Sequence, residues 1–338
     1  MNILFRADAG MDVGSGHLMR CLGLAQYLRD QGASCSLLTT QTAEPAVVRW
    51  REEGVDVTEQ LAERSSPEDA AATIAAAASG AQWIVADGYD FGLDWQRAVR
   101  EDGPKLLCFD DLGGTAFIAD LVVNQNPGAQ DLSYDMKGGG RVLAGADYVV
   151  LRRNLRHLKR EVSSGPPRIL VTFGGYDTDN LALAAMRELA GLETPFTAIV
   201  ICSAGTGGLE EAETFAASHP DRFHVIPPTD ILPLMAAADL TLCAGGTTSL
   251  ELASLDIPMV LVTLAGNQEP GAAALDKAGC AHLAGRGIAA LPNAAKVLED
   301  LLRDPAARED MGRAGTALVD GRGVERITRA LREGASGS

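Results

Sequence analysis

Residues 2–28 read NILFRADAGMDVGSGHLMRCLGLAQYL and contain the pattern that decides the fold. The run at 2–6 is largely apolar, as a buried β-strand requires, and a glycine-rich turn separates it from a stretch with helical period. A strand, a glycine-rich turn and a helix form the opening of a parallel βαβ unit. The sequence therefore predicts an α/β protein.

The same order of elements returns in the second half of the chain, where residues 168–189 read RILVTFGGYDTDNLALAAMREL. Strands are predicted near residues 2–6, 34–39, 83–86, 105–109, 121–124, 168–173, 198–202, 223–226, 240–243 and 259–264. Helices are predicted near residues 17–31, 45–53 and 67–78, and a last helical segment runs to about residue 333. Each half is thus expected to be a Rossmann-like, doubly wound domain that binds ligands at the carboxyl ends of its strands.

The length of 338 residues fits two domains of about 150 residues each. Residues 157–167 read HLKREVSSGPP, and this charged, then Ser/Gly/Pro-rich composition suits a linker. We predict an N-terminal domain at 1–157, a linker at 158–167, a C-terminal domain at 168–333 and a disordered tail at 334–338. The ligand is expected in a central cleft where the two domains face each other.

Composition excludes several classes of function. The chain has 29 Lys plus Arg against 45 Asp plus Glu, a net charge of −16, which opposes binding to nucleic acids or anionic membranes. No apolar run approaches the roughly 20 residues of a membrane span, and Arg6 and Asp8 stand where a signal peptide would be apolar. The six cysteines form no C-x-x-C pair, so reduced thiols are expected. A cytoplasmic protein is predicted.

The first candidate site is the turn Gly14-Ser15-Gly16-His17. Its glycines allow a ligand to approach the backbone, and the positive end of the following helix favours a neutral imidazole, as a general base requires. A dinucleotide site is disfavoured because Met19 occupies the third glycine position, and the turn lacks the Gly-Lys-Ser/Thr ending of a Walker A motif. The alternative is a capped helix with an incidental histidine.

The second candidate site is residues 244–251, AGGTTSLE, which follow a strand and open a helix. The clustered amides and hydroxyls could bind a diphosphate, and Glu251 could accept hydrogen bonds from a ribose. A capping box of Thr248 and Glu251 explains the same residues without a ligand. A third glycine turn, at Gly174 and Gly175, lies at the strand end expected to face the cleft.

Polar residues also follow the other predicted strands. They are Asp87-Gly88-Tyr89, Asp110-Asp111, Asn124-Gln125-Asn126 and Gly266-Asn267-Gln268. Together they predict one rim rich in acids and amides. The adjacent carboxylates at 110 and 111 invite a metal reading, but successive residues on an extended chain point opposite ways, so one of them could cap the next turn while the other faces the cleft. No metal or other cofactor is expected.

Five segments, taken in their order along the chain, resemble the PseG family of UDP-sugar hydrolases. They are residues 4–28, the Asp87-Gly88-Tyr89 turn, FDDLGG with LVVNQN, VTFGGYDTDN, and CAGGTTSLELASLDIPMVLVTLAGNQ. The match spans about residues 2–282. The resemblance implies a GT-B fold like that of MurG, and hydrolysis of UDP-2,4-diacetamido-2,4,6-trideoxy-β-L-altropyranose to UDP and a free sugar in pseudaminic acid biosynthesis.

The resemblance also implies roles for individual residues. His17 would activate the water that attacks the anomeric carbon, with Tyr89 and Asn267 as further catalytic residues lining the sugar site. The 245–248 turn would hold the diphosphate, Glu251 the ribose, and backbone near Val225 and Ile226 the uracil. The full predicted substrate-binding set is Gly14, Gly16, Arg20, Asp87, Asn126, Gly174, Gly175, Ile226, Gly245, Gly246, Thr247, Thr248, Glu251 and Gln268.

Three residues depart from the family's usual pattern: Gly88, Tyr176 and Gly266. They leave the sugar open, so a related nucleotide-sugar hydrolase with a different sugar is an alternative. A GT-B glycosyltransferase using a UDP-amino-sugar donor is a second, for which the only sign of a MurG-like membrane patch is VVRWR at 47–51. A non-catalytic nucleotide-sugar binder is a third, and a dehydrogenase is the weakest. The expected partners are a UDP-linked amino sugar and UDP, and the protein is expected to be a monomer or weak dimer.

Overall fold

The computed structural model describes residues 1–10, 15–40, 45–101, 103–161, 165–174, 179–202 and 208–335. The chain divides into two compact units. The first contains Met1–Arg156 and the residues from Gly321 onward, and the second contains His157–Asp320. Both units are α/β, as the alternation of apolar runs and helical segments predicts.

The first unit is built on a seven-stranded parallel sheet. The strands of this unit are β1 (Asn2–Ala7), β2 (Ser34–Thr39), β3 (Asp56–Glu59), β4 (Trp83–Asp87), β5 (Lys105–Phe109), β6 (Ala116–Phe117), β7 (Leu121–Asn124), β8 (Asp135–Met136) and β9 (Arg141–Ala144). The order is β3-β2-β1-β4-β5-β7-β9, and β6 pairs with β8 separately. The strand order reverses between β1 and β4, and ligands of open α/β sheets bind at such a switch point, beyond the carboxyl ends of the strands.

Helices cover both faces of this sheet because its central strands are apolar on both faces. They are α1 (Gly16–Asp30), α2 (Pro45–Glu52), α3 (Pro67–Ala77) and α4 (Leu93–Arg100). One core cluster joins α1 and α2 to the sheet through buried residues such as Leu18, Leu22 and Trp50. Another joins α3 and α4 through residues such as Ala70 and Trp95.

The second unit contains a six-stranded parallel sheet. Its strands are β10 (Arg168–Thr172), β11 (Thr197–Ile201), β12 (Phe223–Ile226), β13 (Leu240–Ala244), β14 (Met259–Thr263) and β15 (His282–Arg286), in the order β12-β11-β10-β13-β14-β15. Its helices are α5 (Leu181–Ala190), α6 (Gly208–Ala217), α7 (Leu232–Ala237), α8 (Thr247–Ala253), α9 (Glu269–Lys277), α10 (Leu291–Arg303) and α11 (Pro305–Leu318). The order reverses between β10 and β13, so the turns after these strands flank the second switch point.

The last helix, α12 (Gly323–Ala335), corrects the expected domain boundary. The predicted C-terminal domain ran to residue 333, but α12 packs on the first unit. Its apolar stripe, including Val324, Ile327 and Leu331, joins the core around α1, and Trp83 Nε1 donates to the Leu331 carbonyl at 3.2 Å. Period alone shows that a helix has an apolar face, not which sheet covers it.

The predicted linker and tail also differ from the structure. Glu161 N donates to the Ala236 carbonyl at 2.7 Å, so this part of the 158–167 segment pairs with the second unit. Gly334, predicted to belong to the tail, lies within α12, and its carbonyl accepts a hydrogen bond from Lys105 Nζ at 2.5 Å. Residues 336–338 of the predicted tail lie outside the described residues.

The predicted strands and helices are present, with ends that differ by a residue or two. The elements missing from the prediction include β3, β9 and β15, which are edge strands of their sheets. Their sequences, DVTE, RVLA and HLAGR, are short and each includes at least one charged residue, which an edge strand tolerates because it is buried less than a central one. Among the described helices, none is both long and apolar enough to cross a bilayer.

Candidate active site

His17 lies at the switch point of the first sheet. The helix α1 begins at Gly16, and Ser15 precedes it without making a side-chain cap bond. His17 is therefore the second residue of a helix whose first amides are not capped by Ser15, and its side chain is 10% exposed. Ser15 is therefore not a side-chain cap of this helix, and the role of His17 stays a prediction. Gly14, a predicted substrate contact, lies outside the described residues.

Among the described residues, the imidazole of His17 contacts the ring of Tyr89 and lies near the carboxylate of Asp111. Its ring meets that of Tyr89 edge to face, with centroids 4.8 Å apart. Its Nε2 lies 3.8 Å from Asp111 Oδ2. The Tyr89 hydroxyl donates to the same Oδ2 at 3.3 Å. Residues from the turns after β1, β4 and β5 thus meet because these strands are neighbours in the sheet.

Arg20, one turn further along α1, holds two carboxylates. Its Nε and Nη2 donate to Asp87 at 2.8 and 2.7 Å. Its Nη1 and Nη2 donate to Asp111 at 2.6 and 3.1 Å. The guanidinium also lies over the Phe109 ring, 4.7 Å from its centroid. Arg20 and Asp87 were predicted to bind substrate; in this structure they bond to each other, and their contacts with a substrate stay predictions.

The pKa of Asp111 reflects this surrounding. Burial by itself raises the pKa of a carboxyl group, and here the Arg20 charge and its hydrogen bonds outweigh burial and lower the pKa of Asp111 to about 2. Asn126 Nδ2 adds a bond to Asp111 Oδ1 at 3.0 Å. Asp111 is consequently a fixed anion beside His17 at any pH near neutrality.

The neighbouring Asp110 has a different task. Its Oδ2 accepts from Gly113 N at 2.7 Å and from Asn124 Nδ2 at 3.2 Å, so it caps the turn that follows β5. The sequence predicted that one carboxylate of this pair could cap the turn while the other faced the site, and the structure assigns Asp110 to the turn and Asp111 to the site. Among the described residues, no cluster of three or more His, Cys, Asp or Glu side chains could hold a metal ion.

A second buried ionic cluster fixes the end of β1. Asp8 Oδ1 accepts from Arg6 Nη1 at 2.8 Å and from Thr40 N at 2.7 Å, and its Oδ2 accepts from Arg64 Nε at 2.9 Å. Burial raises the pKa of Asp8, but the Arg6 guanidinium and the Thr40 bonds lower it to about 2. Arg64 Nη1 continues to Asp90, next to Tyr89, at 2.9 Å. Arg64 thereby links the Asp8 side chain, after β1, to the turn that carries Tyr89.

The structure of the second unit brings two predicted segments together at the carboxyl ends of β13 and β14. A Cβ added at Gly245 would lie 3.1 Å from Ala272 Cβ and 3.6 Å from Gln268 Cβ. Gln268 Oε1 accepts from Leu264 N at 2.9 Å and so closes its own turn, while Asn267 in that turn is exposed. Glycine at 245 therefore allows the two turns to approach closely.

The helix after Gly245 is not capped as a capping box requires. The N-cap residue of α8 is Gly246, which has no side chain that could cap the helix, and the helix begins at Thr247. Thr248 therefore lies inside the helix rather than before it, where a capping box would need it. Thr247 and Thr248 are half-buried, and Glu251 is buried.

The remaining predicted contacts lie at the same edge of the second sheet. Gly174 follows β10 with φ +91°, a conformation that favours glycine, and a Cβ there would meet no atom of the described residues within 4 Å. Ile226 ends β12 and is half-buried. Gly175 and Tyr176 lie outside the described residues. The roles of all these residues toward a ligand stay predictions.

Sequence reasoning missed two functional features of the first unit. It did not place Asp111 beside His17, and it gave no role to Arg64. A signal for the first was present, because Arg20 follows His17 by three residues and thus shares its helix face, while acidic residues end the neighbouring strands. No comparable signal identifies Arg64, which lies in an irregular segment between β3 and α3.

Known proteins similar to this chain support the resemblance. No family model matches. The spore coat polysaccharide biosynthesis protein SpsG of Bacillus subtilis is 23% identical, with 98% of each chain covered. The UDP-2,4-diacetamido-2,4,6-trideoxy-β-L-altropyranose hydrolase of Campylobacter jejuni is 24% identical over 82% of this chain and 97% of its own. An uncharacterized protein of Methanocaldococcus jannaschii is 25% identical over 78% of this chain, which spans 55% of that protein's length. The resemblance to the PseG family is confirmed.

Solved structures confirm the fold. MurG of Acinetobacter baumannii has a TM-score of 0.70 at 16% identity, with 98% of this chain and 100% of MurG covered. A putative UDP-N-acetylglucosamine 2-epimerase of Listeria monocytogenes has a TM-score of 0.68 at 14% identity, with 100% and 97% covered. Anabaena HepE, solved with UDP and glucose, has a TM-score of 0.64 at 15% identity, with 98% and 100% covered. The chain has a GT-B type fold.

Proposed function

We propose that this chain, a distant relative of UDP-sugar hydrolases with a GT-B fold, is itself a UDP-sugar hydrolase. Water attacks the anomeric carbon, the bond from that carbon to the diphosphate oxygen breaks, and UDP leaves with the electron pair. His17 takes the proton that the water loses. The sugar released is a 2,4-diacetamido-2,4,6-trideoxy sugar, and the reaction serves nonulosonate biosynthesis of the pseudaminic acid type.

One observation carries this proposal: His17 lies at the switch point of the first sheet, against Tyr89 and 3.8 Å from the Asp111 carboxylate. A histidine beside a fixed carboxylate is suited to accept a proton, because the carboxylate stabilises the imidazolium that forms. No nucleophilic side chain is required, since UDP is a good leaving group and one oriented water suffices. Tyr89 and Asn267 line the sugar in this proposal.

The second unit is proposed to bind UDP. Its Gly245-Gly246 turn, with Thr247 and Thr248, holds the diphosphate, because backbone amides and hydroxyls can bind an anion in a protein of net charge −16. Glu251 accepts bonds from the ribose, and uracil lies on the backbone near Ile226. The UDP complex of Anabaena HepE, which shares the fold, supports a nucleotide site in this class of proteins.

The test compares wild type with His17→Asn on UDP-linked diacetamido sugars without an acceptor, with released UDP as the readout. We expect turnover to fall about 10²- to 10⁴-fold, the usual contribution of a general base, while UDP affinity changes little. His282→Asn, at a half-buried position in the second unit, is the matched control and should keep full turnover. In ¹⁸O-labelled water the label should enter the sugar. Label in the UDP phosphate would instead indicate attack at phosphorus.

A GT-B glycosyltransferase is the second candidate, because MurG shares this fold with a TM-score of 0.70. The only sequence sign of a lipid acceptor, the VVRWR segment, is divided between surface and core: Val48 is 45% exposed, whereas two other apolar residues of the segment are buried. Val47 and Trp50 of the VVRWR segment are both 0% exposed, and Trp50 packs on Phe5 in the core. A transferase would release UDP only when an acceptor is added, so the assay without acceptor separates the two functions.

A further inference from the structure

We infer that Asp111 positions His17 for proton transfer and that Arg20 holds Asp111 for this task. This inference rests on the proposed hydrolase function and deepens it, since it assigns His17 a partner. The two residues come from different elements, the start of α1 and the end of β5, so only the fold brings them together. Asp111 acts through His17 and is a positioning residue.

The geometry of Asp111 Oδ2 supports this assignment. This one oxygen lies 3.8 Å from His17 Nε2 and accepts from the Tyr89 hydroxyl at 3.3 Å. His17 and Tyr89 also contact each other through their rings. The carboxylate therefore faces two of the side chains proposed for the reaction, His17 and Tyr89, and a change in its position would move both.

Asp111 is held in place by donors on its other sides. Arg20 donates to both of its oxygens, at 2.6 and 3.1 Å, and Asn126 donates to Oδ1 at 3.0 Å. Its side chain is only 14% exposed. A carboxylate so restrained needs no reorganisation when His17 becomes positively charged, and this is the condition under which a fixed charge is most effective.

Asp87 offers a matched control within the same cluster. It bonds to Arg20 through both oxygens, as Asp111 does, and its further partner is the Cys21 thiol at 3.6 Å. Asp87→Asn and Asp111→Asn therefore each remove one of the two negative charges that are bonded to Arg20. If the cluster has only a structural role, the two variants should behave alike.

The experiment measures kcat and KM for released UDP in wild type, Asp87→Asn and Asp111→Asn. We expect Asp111→Asn to lower kcat about 100-fold or more with KM nearly unchanged, and Asp87→Asn to lower kcat less than about tenfold, with any loss of its predicted substrate contact appearing in KM. An equal loss in both variants, or a loss confined to KM, would overturn the inference. Should Asp111→Asn not fold, Asp111→Glu keeps the charge but displaces the carboxylate. It is expected to lower kcat about tenfold or more, and unchanged kcat would also overturn the inference.

A second readout does not depend on turnover. The chain has five histidines, and His17→Asn identifies the ring signals of His17 in the spectrum of ¹⁵N-histidine-labelled protein. These signals should shift in Asp111→Asn and stay in place in Asp87→Asn. If wild type releases no UDP but the His17 signals differ between the two variants in this way, the hydrolase proposal is refuted and the contact between His17 and Asp111 stands. Signals unchanged in both variants would refute the contact itself.

Discussion

Replacing Arg20 with methionine is expected to destabilise the first unit by about 4 kcal/mol at pH 7, and by less at lower pH. Methionine keeps most of the volume of the side chain but removes four hydrogen bonds to Asp87 and Asp111. The side chains of the three residues are 4%, 1% and 14% exposed, so the carboxylates cannot gain full hydration instead. Breaking a buried pair by removing one partner costs about 3–5 kcal/mol.

The pH dependence follows from proton uptake. Without the guanidinium, one of the two carboxyl groups is expected to stay protonated in the folded variant, so its folded pKa rises above the unfolded value of about 3.9. Stability from a raised pKa is complete below the unfolded pKa and falls as pH rises, by about 1.4 kcal/mol per pH unit for one proton. The loss relative to wild type is therefore about 4 kcal/mol at pH 7 and about 1.5 kcal/mol at pH 5.

Urea unfolding followed by tryptophan fluorescence measures this loss in the correct unit, because all three tryptophans of the chain, Trp50, Trp83 and Trp95, belong to the first unit. Arg100→Met is the control. Arg100 pairs with Asp120 through two bonds but is 30% exposed, so its loss should cost about 1 kcal/mol or less at every pH. A loss below about 1 kcal/mol in Arg20→Met, or one independent of pH, would refute the reasoning.

Three further predictions concern the ends of the sheets and the last helix. The pKa values of Asp8 and Asp111 are lowered to about 2, so each carboxylate should contribute about 2 kcal/mol to the stability of the first unit above pH 4, and this contribution is lost between pH 4 and pH 2. Acid titration followed by tryptophan fluorescence measures the loss, and a first unit fully stable at pH 2 would contradict the prediction. Gly245→Ala should weaken UDP binding about tenfold in calorimetry, because the added Cβ would lie 3.1 Å from the Ala272 Cβ and displace the turn. Unchanged affinity would show that this turn does not bind the nucleotide. Deleting α12 should destabilise the first unit by roughly 5 kcal/mol or more, because three buried aliphatic side chains are lost, and should shift the emission of Trp83 to the red. A urea transition like that of wild type would show that α12 does not stabilise this unit.

The sequence by itself determined much of the architecture. Apolar runs such as residues 105–109 and 121–124 predicted β5 and β7 with the ends that the structure has, because a strand buried on both faces must be apolar throughout. The glycine turn before His17 and the polar residues after the strands also identified which edge of each sheet carries the candidate site. These features are local, so period and turn chemistry are enough to reveal them.

Only the tertiary structure decided which of these polar residues meet. The positions of His17, Tyr89 and Asp111 are distant in sequence, and strand order brings their turns together at the switch point. The same holds for Arg20, which a motif suggests as a substrate contact but which the fold surrounds with two carboxylates. It also holds for α12, whose apolar stripe fits either unit by pattern and packs on the first. Pairing partners depend on strand order and packing across the chain, and no local pattern encodes them.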